Sequence, residues 1–433
     1  MSGTRDYLAG RWRYLLNRFV RRIWFRATLY SVAAVLVAIL SGFVAPYLPF
    51  PIQLELASGS VDKILSILSS SMLAVTTFSL SIMVSAYAAA AGNSTPRATS
   101  LLINDSVASN TLATFVGSFL FAVVGIIGLA AGLYGDDGRI ILFIATLVVL
   151  FFVTASLLRW IEQLTKFGRV GDTIGRVETV AAAAARSWAK YPRLGAEEAI
   201  EIPEECAPLY VEDVGYIQHV DMEALNDLAK SAGGAIHLQK VPGQFVGPDR
   251  PVAMMVTEPD GEKRRKMSEC FTIGPDRSFD QDPRFGLIVL SEIASRALSP
   301  AVNDPGTAIQ VLTAGVRVIE AFSEGHSERE EAKYEHVYAR DIDCAEMLED
   351  FINPIARDGA SLLEVQLRLQ RSLEMVALAE RDLFGQAANR LSALALKRSL
   401  AGLDSSLEQS RLKRRAAWAL PDKLTGERPE GAA

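Results

Sequence analysis

Reactive chemistry shows in a sequence as His, Cys, Asp and Glu at ligand or triad spacings, and this chain offers few such settings. Its histidines, His219, His237, His326 and His336, form no HxxxH or HExxH pattern. Cys206, Cys270 and Cys344 lie far apart, so neither a disulfide framework nor a CxxC metal site follows, and reduced thiols fit. GRVGDTIG (Gly168 to Gly175) lacks the Gly-Lys-Ser/Thr ending and the preceding strand of a P-loop. No catalytic residue, metal or cofactor is expected, and the chain does not read as an enzyme.

Two places do carry polar groups at telling positions. In SPAVNDPGTA (Ser299 to Ala308), Pro300 ends one helix, Asp304 caps the next and Pro305 occupies its first position. A tight corner between helices accounts for most of this string. Asn303, Asp304 and Thr307, with Arg296 one turn earlier, also stand at a helix N-terminus, where free amides favour an anion. The corner therefore reads as architecture, as an anionic-ligand site, or as an intersubunit contact. The second place is an apolar block in which Ser66, Ser70, Thr77, Ser81 and Ser85 fall within about 100° of a helical wheel. Such a stripe serves close helix packing, or lines a water-filled path between subunits.

These groups must be positioned by a membrane domain and a mixed soluble one. Three blocks, Ala27–Leu48, Leu112–Leu133 and Arg139–Leu158, are apolar enough to span a hydrocarbon core about 30 Å thick. The Ser/Thr-rich block Ser66–Ala91 reads as a further span, which makes four. Arg5, Arg11, Arg13, Arg18, Arg21, Arg22, Arg26, Arg97, Arg159, Lys166, Arg169 and Arg176 fall on one side, and only Lys63 and Arg139 on the other. That asymmetry places both termini in the cytoplasm of an inner-membrane protein. None of the spans carries an ionisable residue at mid-membrane, which speaks against a pump or coupled transporter.

Residues 1–26 are basic, and Leu8, Trp12, Leu15, Leu16, Phe19 and Ile23 share a helical face, as in a helix lying on a membrane surface. They hold seven Arg against Asp6, so the remainder of this −6 chain carries −12. That acidity argues against nucleic acid as a partner.

Beyond the last span the pattern continues as a largely helical stretch ending near Tyr191-Pro192, which carries the last span on into the soluble domain. GYIQHV, AIHLQKV and VAMMV read as strands, with a helix capped by Asp221 between the first two and the turn PGQFVGPDRP before the third. From Asp282 the pattern is helical almost to the end, with helices starting at Asp282-Pro283 and Asp304-Pro305 and others near 362–378, 384–400 and 405–418. The expected fold is an α-helical membrane domain of four transmembrane helices plus an α+β cytoplasmic domain. The latter holds a small β-barrel or sandwich-like element and a C-terminal helical region. The expected boundaries are 1–26, 27–160, 161–281, 282–419 and a disordered tail, 420–433.

The run FTIGPDRSFDQDPRFGLIVLSEIASRALSPAVNDPGTAIQVL resembles the signature of a bacterial family of predicted membrane proteins, domain of unknown function 2254. The likeness extends to Ser94-Thr95-Pro96-Arg97, the Gly-Tyr-Ile-Gln strand and the Pro-Gly-x-Phe-Val turn. It implies membership, not an activity. Two functions stay open. One is an oligomeric ion channel or pore, lined by the hydroxyl stripe and gated by the cytoplasmic domain. The other is a membrane-anchored sensor or scaffold that binds a partner or small anion at the Asn303 corner. The expected partners are the lipid bilayer, further copies of the chain, and a small ion or anionic ligand.

Overall fold

The computed structural model describes residues 23–44, 59–93, 95–103, 106–165 and 168–419. The basic N-terminal segment up to residue 22, the tail from residue 420, Ser94 and the end of the first apolar block lie outside those residues. The described residues form two compact units, divided between Asp172 and Thr173.

The first unit is helical. α1 (Ile23–Val44), α2 (Ser60–Asn93), the short α3 (Pro96–Ile103), α4 (Ser106–Ala130) and α5 (Asp136–Leu164) follow in order. Three stretches are long and apolar enough to cross a membrane: Ser60–Ala89, Val107–Ala130 and Gly138–Leu164. Among the described residues the first block contributes only a shorter apolar stretch, Ala27–Leu40, so the structure gives three candidate spans where the sequence suggested four.

Half of the apolar window of α4 is buried, against 22% for α2 and for α5, and α4 packs against α1, α2 and α5. It is the inner helix because it carries glycine where neighbours crowd. A Cβ on Gly128 would stand 2.5 Å from the Tyr134 ring. Tyr134 in turn donates from its buried hydroxyl to the Ala38 carbonyl of α1 at 2.7 Å. Phe115 and Phe121 of α4 are fully buried in the same core.

The continuous helix expected after the last span is interrupted. Thr165 caps α5, Gly168 adopts φ +77°, and α6 begins at Val170 and runs to Lys190. A left-handed glycine ends helices because no Cβ resists that conformation.

The second unit opens with α6 and then holds two open sheets and a helical layer. β1 (Ala196–Glu198), β2 (Ala207–Leu209), β4 (Ile236–Leu238), β6 (Ala253–Met255) and β8 (Tyr334–Ala339) pair in the order β1-β8-β4-β6-β2. β8 runs parallel to both β1 and β4, and the remaining pairings are antiparallel. The second sheet is antiparallel, β5-β3-β7, from Phe245–Val246, Gly215–Val220 and Phe271–Gly274. Neither sheet closes, so the barrel-like element of the sequence reading is corrected to two short sheets. α7 (Met222–Ser231) is capped by Asp221, whose carboxylate accepts from the Ala224 amide, and α8 (Gly261–Glu269) by Asp260. Ile217, Leu225, Ile236, Met255 and Val337 share the core of this region.

α9 (Phe285–Ala297), α10 (Pro305–Ser327), α11 (Cys344–Asp358), α12 (Leu363–Ala379), α13 (Arg381–Gly402) and α14 (Ser406–Ala416) complete the unit. β8 interrupts the helical run expected there, and α9 starts at Phe285 instead of at Pro283.

Candidate functional site

On α2, Leu65, Leu68, Met72, Ser79 and Met83 are buried against the rest of the helical unit. Ser66, Ser70, Thr77, Ser81 and Ser85 are all exposed and fall on the opposite arc of the same helix. Among the described residues, the stripe is therefore not used to pack this helix within its own chain. Ser70 donates to the Ser66 carbonyl at 3.0 Å, Thr77 to Leu73 at 2.9 Å and Ser81 to Thr77 at 3.1 Å. A donor satisfied one turn back is tolerated in hydrocarbon, while the hydroxyl oxygen keeps lone pairs for water or an ion. Exposed apolar side chains share and border that arc, among them Ile67 at 68% exposure, Val84 at 59% and Phe78 at 67%.

The SPAVNDPGTA corner is a tight return between α9 and α10. Ser299's carbonyl accepts from the amides of Val302 (3.0 Å) and Asn303 (2.9 Å), and Ala297's from Asp304's amide at 2.8 Å. Asn303 adopts φ +49°, which its short polar side chain tolerates better than most residues, and this accounts for asparagine there. Asp304 caps α10: Oδ1 accepts from the Thr307 amide at 3.0 Å and Oδ2 from the Thr307 hydroxyl at 2.6 Å. Those two bonds hold its carboxyl below the ordinary Asp value. The structure thus joins Asp304 to Thr307 and leaves Asn303 exposed. The Arg296 side chain, in the last turn of α9, is half-buried. A capping carboxylate already occupies the place an anion would take, so the helix end by itself is a poor anion receptor.

The unusual strings of the sequence converge elsewhere. Arg277 grips Asp282 in a bidentate pair, Nε to Oδ2 at 2.7 Å and Nη2 to Oδ1 at 2.9 Å. Asp282 Oδ1 also accepts from the amides of Arg284 and Phe285, so it caps α9 while 3% of its side chain is exposed. Burial raises its pKa, and the Arg277 fork and those amides pull the other way. Gly243 of the Pro-Gly turn, at φ +88°, lies against this pair: a Cβ there would stand 2.1 Å from Asp282 Oδ2. Gln218 of the Gly-Tyr-Ile-Gln strand donates to the Asp276 carbonyl at 2.7 Å, and Gln281 accepts from the Val220 amide at 2.8 Å. Arg284 spans to Glu346 and Asp350 on α11. The knot fastens β3, the Pro-Gly turn, α9 and α11. Sequence reasoning took Asp282 as a helix cap and missed its arginine, although the Asp/Arg run in GPDRSFDQDPRFG was the available signal.

Long apolar helices joined in sequence to an α/β unit define an integral membrane protein with a globular module. The chain belongs to the family described as Predicted membrane protein (DUF2254), whose family model matches residues 20–375. It is 35% identical over 116 residues to Uncharacterized protein Rv1290c of Mycobacterium tuberculosis and to Uncharacterized protein Mb1321c of Mycobacterium bovis. Each match covers 25% of this chain and 22% of the relative's length. No solved structure matches.

Proposed function

We propose that the protein is an oligomeric ion channel or pore of the inner membrane. In this reading the hydroxyl face of α2 lines a path between subunits, and the globular unit, on the cytoplasmic side with both termini, gates it. The observation that carries the reading is the outward aspect of Ser66, Ser70, Thr77, Ser81 and Ser85, opposite the face α2 buries in its own chain. A single chain's few spans enclose no pore, so the stripe needs further copies to become a path. The Lys/Arg asymmetry supports the orientation.

The test is current across a planar bilayer containing the purified full-length protein. Discrete openings that disappear on Ser70→Leu and Thr77→Leu, with the oligomer intact, are the expected result. Silence from an intact oligomer, or openings indifferent to both substitutions, overturns the reading.

A second reading, a membrane-anchored sensor whose globular unit binds a small anion, draws support from a cleft in the helical layer rather than from the Asn303 corner.

A further inference from the structure

A cleft of about 790 Å³ is lined by α10, α12 and α14, and five of its eight lining residues are arginines: Arg368, Arg371, Arg411, Arg414 and Arg415. Their placement follows from helical spacing. Arg368 and Arg371 stand three apart on α12, and Arg411, Arg414 and Arg415 sit at i, i+3 and i+4 on α14. The buried Leu412 and Ala416 hold α14 down, and Val365, Leu369 and Leu373 do the same for α12. Each helix thereby turns its basic stripe toward the cleft.

The local charge is not cancelled. Arg371 (2.8 Å) and Arg415 share the single carboxylate of Glu374, whose pKa they hold below its ordinary value against the opposing effect of burial. Glu364 is the one carboxylate among the lining residues. Five guanidiniums against Glu364 and Glu374 leave three positive charges, in a chain whose residues after 26 sum to −12. Arg411 and Arg414 make no ion pair or hydrogen bond among the described residues.

Cations in the last turn of a helix complement its dipole, which explains part of the α14 cluster. It does not explain Arg368 and Arg371, which lie mid-helix on α12 and face the same space. Like charges brought together in a concave site repel unless an anion completes it. The planar guanidinium fork matches phosphate oxygens two at a time, which a lysine cluster does not. The cleft is shallow and open to solvent, and Ile309 and Leu367 add apolar wall.

We propose that this cleft binds a phosphate-bearing anion with at least two negative charges. Arg411 and Arg414 act as its primary contacts, and Arg368, Arg371 and Arg415 close around it. Ile309 lies on the second turn of the helix that Asp304 caps, so the ligand joins α10, α12 and α14 across the helical layer. The site does not depend on the channel reading, because binding is measured without current. The phosphate can belong to a soluble compound or to a lipid headgroup, and the two sources separate experimentally.

Full-length protein in zwitterionic nanodiscs is titrated with pyrophosphate at constant ionic strength, followed by thermal unfolding. A parallel sample carries phosphatidylglycerol in the nanodisc and no pyrophosphate. A saturable rise in Tm with pyrophosphate assigns a soluble ligand, and a rise confined to the phosphatidylglycerol discs assigns a headgroup. In either arm Arg411→Gln with Arg414→Gln weakens the response by roughly tenfold or more, as expected for lost charge-assisted bonds. Arg411→Lys with Arg414→Lys keeps the charge and loses the fork, so it falls between the two. No rise in either arm, or an equal rise in the double glutamine variant, overturns the proposal. All four substitutions fall on exposed positions, so the fold survives them.

Discussion

The two units hold their helices together by different means. In the first, α4 receives its neighbours through glycine and through one buried hydroxyl-to-carbonyl bond, Tyr134 to Ala38. In the second, elements are tied by charge: Arg277 to Asp282, Arg284 to Glu346 and Asp350, Arg317 to Glu178, and Arg186 to Glu324 and Glu328. The difference follows from the surroundings. Hydrocarbon gives no hydrophobic drive between helices, so close contact must do the work. Beside water, burial drives the packing and ion pairs fix which surfaces meet. Within each unit one group of polar residues stands outside this scheme, the α2 hydroxyls in the first and the cleft arginines in the second.

The largest expected effect lies in the charged unit. Asp282→Ala leaves Arg277 beside the Pro-Gly turn without its carboxylate and strips two amides of α9 of their acceptor. Removing one partner of a buried pair costs about 3–5 kcal/mol. Chemical denaturation of the full chain should lose stability on that scale, and a loss near zero would mean that the knot is dispensable. Gly128→Val comes next. It pushes a side chain into Tyr134, and such overpacking costs about 1–3 kcal/mol. A shift in the detergent-unfolding midpoint checks it, and an unchanged midpoint would show that α4 is not held by close approach.

Asp304→Ala should cost about 1 kcal/mol through the lost cap. Because the folded carboxyl titrates below its ordinary value, its stabilisation is complete above that value and is lost as pH falls through the folded pKa. The gap between wild type and variant should therefore be full at neutral pH and shrink below about pH 4. A gap that persists in acid would assign the effect to something other than the charge.

Arg317→Ala marks the small end. Arg317 is 52% exposed and Glu178 20%, and such pairs contribute about 0.5 kcal/mol. A larger loss would place this contact with the buried pair rather than with the surface ones.

Much of this was legible in the sequence where the signal is local. Asp221 and Asp304 announce the caps of α7 and α10, and Gly215–Val220 forms the strand that GYIQHV suggests. What escaped is long-range. Tyr334–Ala339 pairs in parallel with β1 and β4, far away in sequence, and parallel pairing leaves no hairpin signal. The break at Gly168 hides inside a pattern whose helical period continues on both sides. Gly243, Arg277 and Asp282 meet only because the chain returns to the same place, so their partnership has no local signature. The arginine cleft is a similar case. Each half is an ordinary solvated helix face, and only the packing of α12 beside α14 makes it a site. The hydroxyl stripe was legible as a stripe, but its outward aspect was not, since burial of the opposite face is a tertiary fact.

The central claim is that this outward face meets water rather than lipid. The direct measurement is the reaction rate of a small charged thiol reagent with single cysteines in the assembled, membrane-embedded protein, after Cys206, Cys270 and Cys344 are replaced by serine. Thr77→Cys on the stripe is compared with Leu80→Cys beside it, both exposed on the isolated chain. A thiol must ionise to react, and it ionises in water and not in hydrocarbon. The account predicts rapid modification at position 77 and little at position 80. Equal, slow reaction at both would mean that the stripe faces lipid, and would contradict it.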